Sequence, residues 1–355
     1  MEIDPFGLER WFAKYEHEAD IMLAESGIRS LPATRFDTDP GELGYVIPTN
    51  GDPDLREQLA ARYGRTTDEV IFTCGAQEAN FLVFLALLGQ GGHTVTVTPT
   101  YQSLHAIPDA FGEVTTVQLE PPEWDLDVDA VADAITDDTR LLVVNNPNNP
   151  TGKYHDEATL SALYDLAVEH DAYLLVDEVY RLLADDPHPP AASLGRRAIS
   201  TASLSKAYGL AGLRFGWIVG PPEVVQAAWH WKDYTTISPS QFGQHIARQA
   251  FKQEDELLAE SRAVRQTNHD IVAEFIAETG LSWYDPIGVN AFIEIPNSFS
   301  SGKEFCRAVL NEESVVLAPG EFFGYPDRFR LGFGLPTEEL VEGLSRVKTC
   351  LQRHE

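Results

Sequence analysis

The sequence predicts an α/β protein with a mainly parallel sheet in a large domain and a smaller α+β domain. From about residue 70 to residue 219, short runs rich in β-branched residues alternate with helical stretches, which is typical of a parallel sheet wound by helices. After that point the pattern changes to longer helical stretches with a few short strands. The length of 355 residues exceeds what one simple core usually needs, so it also favours two domains.

The two domains are expected to divide the chain into three stretches. The large domain should cover 45–239, and the small domain should combine 1–44 with 240–355. The predicted strands are 70–73, 94–98, 114–118, 141–145, 173–177, 199–203 and 215–219 in the large domain and 291–295, 314–317 and 329–332 in the small domain. The predicted helices are 77–88, 128–135, 157–170, 303–310 and 337–352, and helical character also runs from Pro222 to about Thr279.

The composition is strongly acidic, with 55 acidic against 26 basic residues and a formal net charge of −29. Nucleic acids and anionic membranes repel such a surface, so neither is expected as a partner. The acidic residues are dispersed, and only seven of the basic residues are lysine, which fits a halophilic protein whose self-repulsion is screened by salt. No apolar run is long enough to span a membrane, and the first ten residues do not resemble a signal peptide, so we expect a cytoplasmic protein.

The three cysteines, Cys74, Cys306 and Cys350, are odd in number and lack CxxC spacing. Neither a disulfide framework nor a metal site is therefore expected.

A lysine with unusual surroundings follows one of the predicted strands, where parallel sheets bind their ligands. Lys206 ends the segment SLSK, and Arg214 lies eight residues later. A lysine amine forms a Schiff base with an aldehyde most readily when its pKa is lowered, and nearby cations lower it. A surface lysine in a loop is the alternative interpretation of Lys206 taken alone.

Three other strand ends carry groups suited to a ligand. Asp177, in VDEVY, would be costly at a buried strand end unless it pairs with a cation such as a pyridinium nitrogen, although it could instead cap the next helix. The run NNPNNPTG, residues 145–152, forces a compact turn whose amides can donate to a ligand oxygen. Gly75, in TCGAQ, lets the backbone approach a ligand at a helix N-terminus, which is a typical phosphate cradle.

These segments, followed by SLSKAYGLAGLRFGW and a late FRLGFG, occur in an order that resembles the class I/II aminotransferases. The resemblance runs from about Gly44 to Gly334. It implies the fold type I of pyridoxal 5′-phosphate (PLP)-dependent transferases, with Lys206 as the Schiff-base lysine and Asp177 as the partner of the pyridine nitrogen. The residues implied to bind the cofactor beside these two are Asn149 and Tyr180 at the ring 3-hydroxyl oxygen, Tyr101 on the ring face, and Gly75, Ala76, Gln77, Ser203, Ser205 and Arg214 at the phosphate.

The resemblance also assigns a substrate site and a partner. Arg330 would grip the substrate α-carboxylate, with Arg328 as the neighbouring alternative and Asn149 beside it. Lys206, Asp177 and Tyr180 would be the catalytic residues. Tyr45 resembles a tyrosine that reaches the phosphate of a neighbouring subunit, which implies a homodimer with shared active sites, and residues 236–240 would likewise line the partner's site.

The implied activity belongs to amino acid metabolism: transfer of an amino group between an amino acid and a 2-oxo acid. A PLP-dependent lyase, cyclase or decarboxylase stays open, because the same carbanion chemistry serves all of them. A non-catalytic binding or regulatory protein is disfavoured by the intact motifs. A dicarboxylic donor would need a second cation, for which Arg181, Lys232 and Arg29 are candidates.

The acidic composition predicts that the stability of the protein depends on salt concentration. The free energy of unfolding should be higher in molar KCl than in dilute buffer, because counterions screen the repulsion among the dispersed carboxylates. Denaturant titrations at the two salt concentrations measure this difference. Equal stability in both buffers would show that the protein is not adapted to high salt.

Overall fold

The computed structural model describes residues 2–354 and contains the following regular elements. The α-helices are α1 (Gly7–Tyr15), α2 (Pro53–Arg62), α3 (Gly75–Leu88), α4 (Ser103–Phe111), α5 (Val128–Ala134), α6 (Glu157–Glu169), α7 (Pro222–Lys232), α8 (Gln241–Lys252), α9 (Glu254–Thr279), α10 (Gly302–Glu313) and α11 (Thr337–Arg353). The strands are β1 (Ile21–Met22), β2 (Val70–Thr73), β3 (His93–Thr98), β4 (Glu113–Gln118), β5 (Thr139–Asn145), β6 (Tyr173–Asp177), β7 (Ala198–Ser203), β8 (Gly216–Val219), β9 (Asn290–Glu294), β10 (Val315–Val316), β11 (Ala318–Pro319) and β12 (Arg328–Gly332).

The central element is a seven-stranded sheet in the order β2-β8-β7-β6-β5-β3-β4. All neighbouring strands are parallel except β8, which runs antiparallel to both β2 and β7. On β5, Leu141 and Val143 face one apolar cluster while Leu142 and Val144 face another, so the strand is buried on both sides. The prediction of an α/β fold with a mainly parallel sheet is confirmed.

The predicted strands agree with the observed ones except around residue 316. The sequence predicts a single strand at 314–317, whereas the structure has β10 and β11 as separate pieces. They separate because they pair with different partners: β10 is parallel to β1, and β11 is antiparallel to β12. Strand β1 and helices α1, α2 and α4 are not among the predicted elements.

The start of the chain packs against its C-terminal part. Besides the pairing of β1 with β10, the indole Nε1 of Trp11 in α1 donates to the carbonyl of Leu317 at 3.0 Å. These contacts fit a small domain built from both ends of the chain, but the exact division stays a prediction. No helix within residues 2–354 is long and apolar enough to cross a membrane.

A buried asparagine on the longest helix holds the chain that leaves β12. The side-chain nitrogen of Asn268 donates to the carbonyls of Phe333 at 2.7 Å and Leu335 at 2.8 Å, and its oxygen accepts from the hydroxyl of Thr337 at 2.8 Å. Asn268 is fully buried, and its bond to Phe333 is shielded from water, so this bond is costly to lose. The bonds therefore fix the strand that carries Arg330.

Substituting Asn268→Ala should lower the free energy of unfolding by about 2–4 kcal/mol, because the buried carbonyl of Phe333 and the partly buried carbonyl of Leu335 lose their donor. The matched control is Thr267→Ala on the exposed neighbouring position, which should change stability by no more than about 0.5 kcal/mol. Urea titrations of the two variants and the parent measure the difference. Equal midpoints for the two variants would contradict this role of Asn268.

Candidate active site

A cavity of about 530 Å³ lies at the carboxyl ends of the parallel strands. It is lined by residues that follow β2, β3, β5, β6 and β7, because parallel strands bring their carboxyl ends to one edge of the sheet. The sequence-predicted residues that line it are Ala76, Gln77, Tyr101, Asn149, Asp177, Tyr180, Ser203, Ser205, Lys206, Arg214 and Arg330. Lys206 and Asp177 thus face the same cavity.

Asp177 ends β6 and is almost fully buried. Its Oδ2 accepts from the side-chain nitrogen of Asn80 at 2.7 Å, and its Oδ1 accepts from the backbone N–H of Val179 at 3.2 Å. The hydroxyl of Thr201 orients Asn80 by donating to its side-chain oxygen at 2.6 Å. Burial outweighs these bonds and raises the pKa of Asp177 to about 6, so a cationic ligand atom beside the carboxylate would relieve a real desolvation cost.

Lys206 follows β7, and its Nζ donates to Ser26 Oγ at 2.8 Å and to Glu25 Oε1 at 3.2 Å. Burial alone would lower the pKa of Lys206, but the combined effects of Glu25 and Tyr180 outweigh burial and raise this pKa above its ordinary value. The sequence predicts a lowered pKa instead. The difference arises mainly from Glu25, whose contact with Lys206 joins residues far apart in the chain. In return, Lys206 lowers the pKa of Glu25.

The phosphate cradle expected from TCGAQ lies opposite Arg214. Helix α3 begins at Gly75 with no side-chain cap, so its first N–H groups are free to bind an anion. Gly75 has a φ of +75°, and a Cβ there would lie 2.6 Å from Arg214 Nη2. Arg214 is held by the carbonyl of Ala211 at 3.1 Å and by Ser205 Oγ at 3.4 Å. Glycine at position 75 therefore allows the guanidinium to approach the helix N-terminus.

Arg330 is deeply buried in β12 and lines the cavity. Its Nη1 donates to Asn149 Oδ1 at 2.8 Å and its Nη2 to the carbonyl of Ala24 at 2.7 Å, while within residues 2–354 its buried Nε has no hydrogen-bond partner. Arg328, the alternative, pairs with Glu294 at 2.7 Å and stacks on Trp124, outside the cavity. The geometry therefore favours Arg330 as the carboxylate-binding arginine.

Two predicted residues do not line this cavity. Gly75 lies immediately behind Arg214, as described. Tyr45 is 72% exposed on the surface, and its expected contact with a neighbouring subunit stays a prediction.

Several lining residues escaped the sequence analysis, and most of them come from the beginning of the chain. Helix α1 and the residues after it contribute Glu9, Phe12 and Glu16, and the segment after β1 contributes Glu25 and Ser26. The spacing of Glu9, Phe12 and Glu16 puts them on one helix face, which is a visible signal, but the sequence does not show what that face contacts. Another missed lining residue is Asn80, a buried amide in helix α3.

Comparison with known proteins identifies the family. A family model described as aminotransferase class I and II matches residues 22–347. The chain belongs to this family. Among curated relatives, capreomycidine synthase from Streptomyces vinaceus is 32% identical over 98% of this chain and 94% of its own length. Aspartate aminotransferase from Bacillus subtilis is 28% identical over 94% of this chain and 88% of its own.

Solved structures of the family are closely similar. A PLP-dependent aminotransferase from Streptococcus suis superposes with a TM-score of 0.94 at 30% identity, covering 100% of this chain and 99% of that one. The PLP-dependent cyclase OrfR gives a TM-score of 0.90 at 28% identity, with the same coverage. An aminotransferase and a cyclase therefore both share this overall fold.

As a member of the aminotransferase class I/II family, the protein is a PLP-dependent enzyme. The residues that line the cavity fit this cofactor. A buried carboxylate that lacks a strong cationic partner suits a protonated pyridine nitrogen, and the uncapped start of α3 with Arg214 suits a phosphate dianion. Lys206 lies on the same cavity and can supply the amine that bonds to the aldehyde.

The raised pKa of Asp177 predicts a pH-dependent stability of the apoprotein. The folded state holds the Asp177 proton up to about pH 6 and the unfolded state only to about 3.8, so this residue's contribution to stability falls as pH rises through that window. The loss amounts to about 3 kcal/mol at most.

The measurement compares the apoproteins of the parent and of Asp177→Asn by urea titration at several pH values. The stability of the parent minus that of the variant should decrease between about pH 4 and pH 6 and level off above, since only Asp177 differs. Adding PLP should reduce the decrease, because the ring nitrogen would neutralise the carboxylate. A pH-independent difference in the apoproteins would contradict the assignment.

Proposed function

We propose that this enzyme is an aminotransferase that moves an amino group between an amino acid and a 2-oxo acid. The observation that carries the proposal is the shared cavity of Lys206, Asp177 and Arg330: an amine, a buried carboxylate and a buried guanidinium around one space of about 530 Å³. This set supplies what the reaction requires of the protein, which is a base, a partner for the cofactor ring and an anchor for the substrate carboxylate.

The first task of these residues is to hold the cofactor. Arg214 and the first turn of α3 would bind its phosphate, and Asp177 would keep a proton on its ring nitrogen. Asn149 and Tyr180 would donate to the ring 3-hydroxyl oxygen. When bound, PLP supplies an electron-withdrawing ring that stabilises negative charge at the substrate α-carbon.

The second task is to position the substrate and move its proton. Arg330 would bind the α-carboxylate through its unsatisfied Nε and the Nη groups, which fixes the α-carbon near Lys206. The amine of Lys206 would accept the proton from the α-carbon and donate it to the adjoining cofactor carbon. Tyr101, which also lines the cavity, would pack against one face of the ring.

A PLP-dependent cyclase, lyase or decarboxylase is the second candidate, and a specific observation favours it. The family model begins at residue 22, whereas the similarity to capreomycidine synthase extends over 98% of this chain. Residues before 22 also line the cavity, including Glu9 and Glu16. These side chains could direct the same α-carbon chemistry to a different product.

We also propose a homodimer that works in a salty cytoplasm. Large apolar side chains are at least 70% exposed at Leu43, Tyr45, Ile47 and Tyr234, which a second copy of the chain would cover. In that arrangement Tyr45 and residues 236–240 would complete the partner's site. The three cysteines are all free, which fits a reducing compartment, and the net charge of −29 fits high salt.

The reaction is tested by mixing the PLP-loaded enzyme with single amino acids in the absence of any 2-oxo acid. An aminotransferase should convert its bound cofactor stoichiometrically to the aminated form, with release of one equivalent of 2-oxo acid, which the visible spectrum and product analysis both record. Continued turnover with release of ammonia, carbon dioxide or a cyclic product would instead support the second candidate.

Substituting Lys206→Ala should lower this conversion by at least about a thousandfold, because the substrate then loses its base and the cofactor its covalent anchor. Circular dichroism should show an intact fold. The control Lys303→Ala removes a lysine outside the cavity and should leave the rate within about twofold. Near-normal conversion by the Lys206 variant would exclude its proposed role.

A further inference from the structure

Helix α1 presents two carboxylates to the substrate side of the cavity. Glu9, Phe12, Ala13 and Glu16 lie three or four residues apart, so they share one face, and all four line the cavity. The helix is anchored by the buried residues Leu8, which also lines the cavity, and Trp11.

Neither carboxylate is used in an ion pair with another described residue of the chain. Among residues 2–354, Glu16 has no side-chain hydrogen bond, and Glu9 accepts a hydrogen bond from the hydroxyl of Tyr101, a neutral donor. Burial and the nearby Glu9 raise the pKa of Tyr101, so this hydroxyl stays protonated and leaves the negative charge of Glu9 in place. The cavity therefore has two carboxylates whose charge is not neutralised within the chain.

Glu25 is a third carboxylate that lines the cavity, and its partner is Lys206 at 3.2 Å. Burial lowers the pKa of Arg330, and Tyr180, Glu25 and Glu9 act in the opposite direction because they lie within electrostatic reach of its guanidinium.

The cations of the cavity are all assigned to other tasks. Within the described residues, its lining contains Lys206, Arg214 and Arg330, and one histidine, His17. The candidates for a second carboxylate-binding cation lie elsewhere: Arg181 is 3.6 Å from Glu178, Lys232 donates to Thr236 at 2.7 Å, and Arg29 does not line the cavity. A distal carboxylate on the substrate would therefore meet carboxylates rather than a cation of this chain.

The buried Nε of Arg330 marks where the ligand's own carboxylate binds. It has no hydrogen-bond partner among residues 2–354, although the side chain is 1% exposed. A buried guanidinium nitrogen without an acceptor is costly, so a ligand carboxylate is expected there. This fixes the α-carboxylate at one end of the site and leaves the rest of the molecule to extend towards α1.

We propose that the site selects α-amino acids whose side chain ends in a positive charge, a guanidinium or an ammonium group, held by Glu9 and Glu16. The proposal rests on the proposed function only in placing the α-carboxylate at Arg330. It holds equally for transamination and for the second candidate reaction, because both begin with the same bound amino acid.

Binding of unreactive probes tests this selectivity independently of catalysis. Isothermal titration of the PLP-loaded enzyme would compare 5-guanidinopentanoate, adipate and heptanoate, which share a carboxylate and lack an α-amino group. The guanidino acid should bind at least about tenfold more tightly than either of the others, the factor expected for a hydrogen bond between charged groups. Methylguanidine, which lacks the carboxylate, should bind at least about tenfold more weakly than the guanidino acid, which separates this site from general attraction to an acidic surface.

Variants of Glu9 and Glu16 test whether these two side chains cause the selectivity. Glu9→Gln and Glu16→Gln should each weaken binding of the guanidino acid by about tenfold and change heptanoate binding by less than about twofold. Glutamine at position 9 keeps an acceptor for Tyr101. The matched control is Glu18→Gln, an exposed glutamate of the same segment that does not line the cavity, and it should leave every dissociation constant within about twofold. Glu16→Arg should shift the preference towards adipate.

The outcomes separate this proposal from the proposed function. Tighter binding of adipate than of the guanidino acid, or unchanged affinities in both Glu9→Gln and Glu16→Gln, would overturn the selectivity for cationic side chains. The proposed aminotransferase function fails separately if cationic amino acids bind but leave the bound cofactor without amination. If cationic amino acids convert the bound cofactor to its aminated form faster than aspartate or norleucine does, both proposals are supported.

Discussion

The burial of the Asp177 carboxylate at the end of β6 is the constraint around which the active site is built. Two neutral donors, Asn80 and the backbone N–H of Val179, hold it in place without neutralising its charge. The backbone of the same residue starts a chain of hydrogen bonds across the cavity: its carbonyl accepts from Asn145 at 3.0 Å, Asn145 accepts from the Asn149 N–H at 2.7 Å, and Asn149 accepts from Arg330 at 2.8 Å. These hydrogen bonds therefore fix the position of Arg330 relative to Asp177.

Much of the cofactor-binding side of the site could be predicted from the sequence. Strands buried on both faces are short and β-branched, so β2, β3 and β5 to β8 are visible as separate runs, and their ends carry the polar residues. In a parallel sheet those ends must meet at one edge, so the sequence alone predicts that Asp177, Asn149 and Lys206 lie close together. The resemblance to aminotransferases then supplied their roles.

The substrate side could not be predicted in the same way, because its geometry depends on contacts between distant parts of the chain. Glu9 lies where it does because Trp11 bonds to Leu317 and because Gly7 donates to the side chain of Gln102 at 2.9 Å. Glu25 meets Lys206 across 181 positions of sequence. No local periodicity encodes such pairings, and the division of 314–317 between two sheets was missed for the same reason.

Helix α1 precedes the part of the chain matched by the family model, yet it forms a wall of the cavity. If α1 selects the substrate as proposed, reactivity and selectivity are encoded in separate stretches of the gene. Changes confined to the first two dozen codons would then retarget the enzyme while the machinery that activates the cofactor stays intact. Exchanging this short N-terminal segment between relatives would accordingly exchange their substrate preferences.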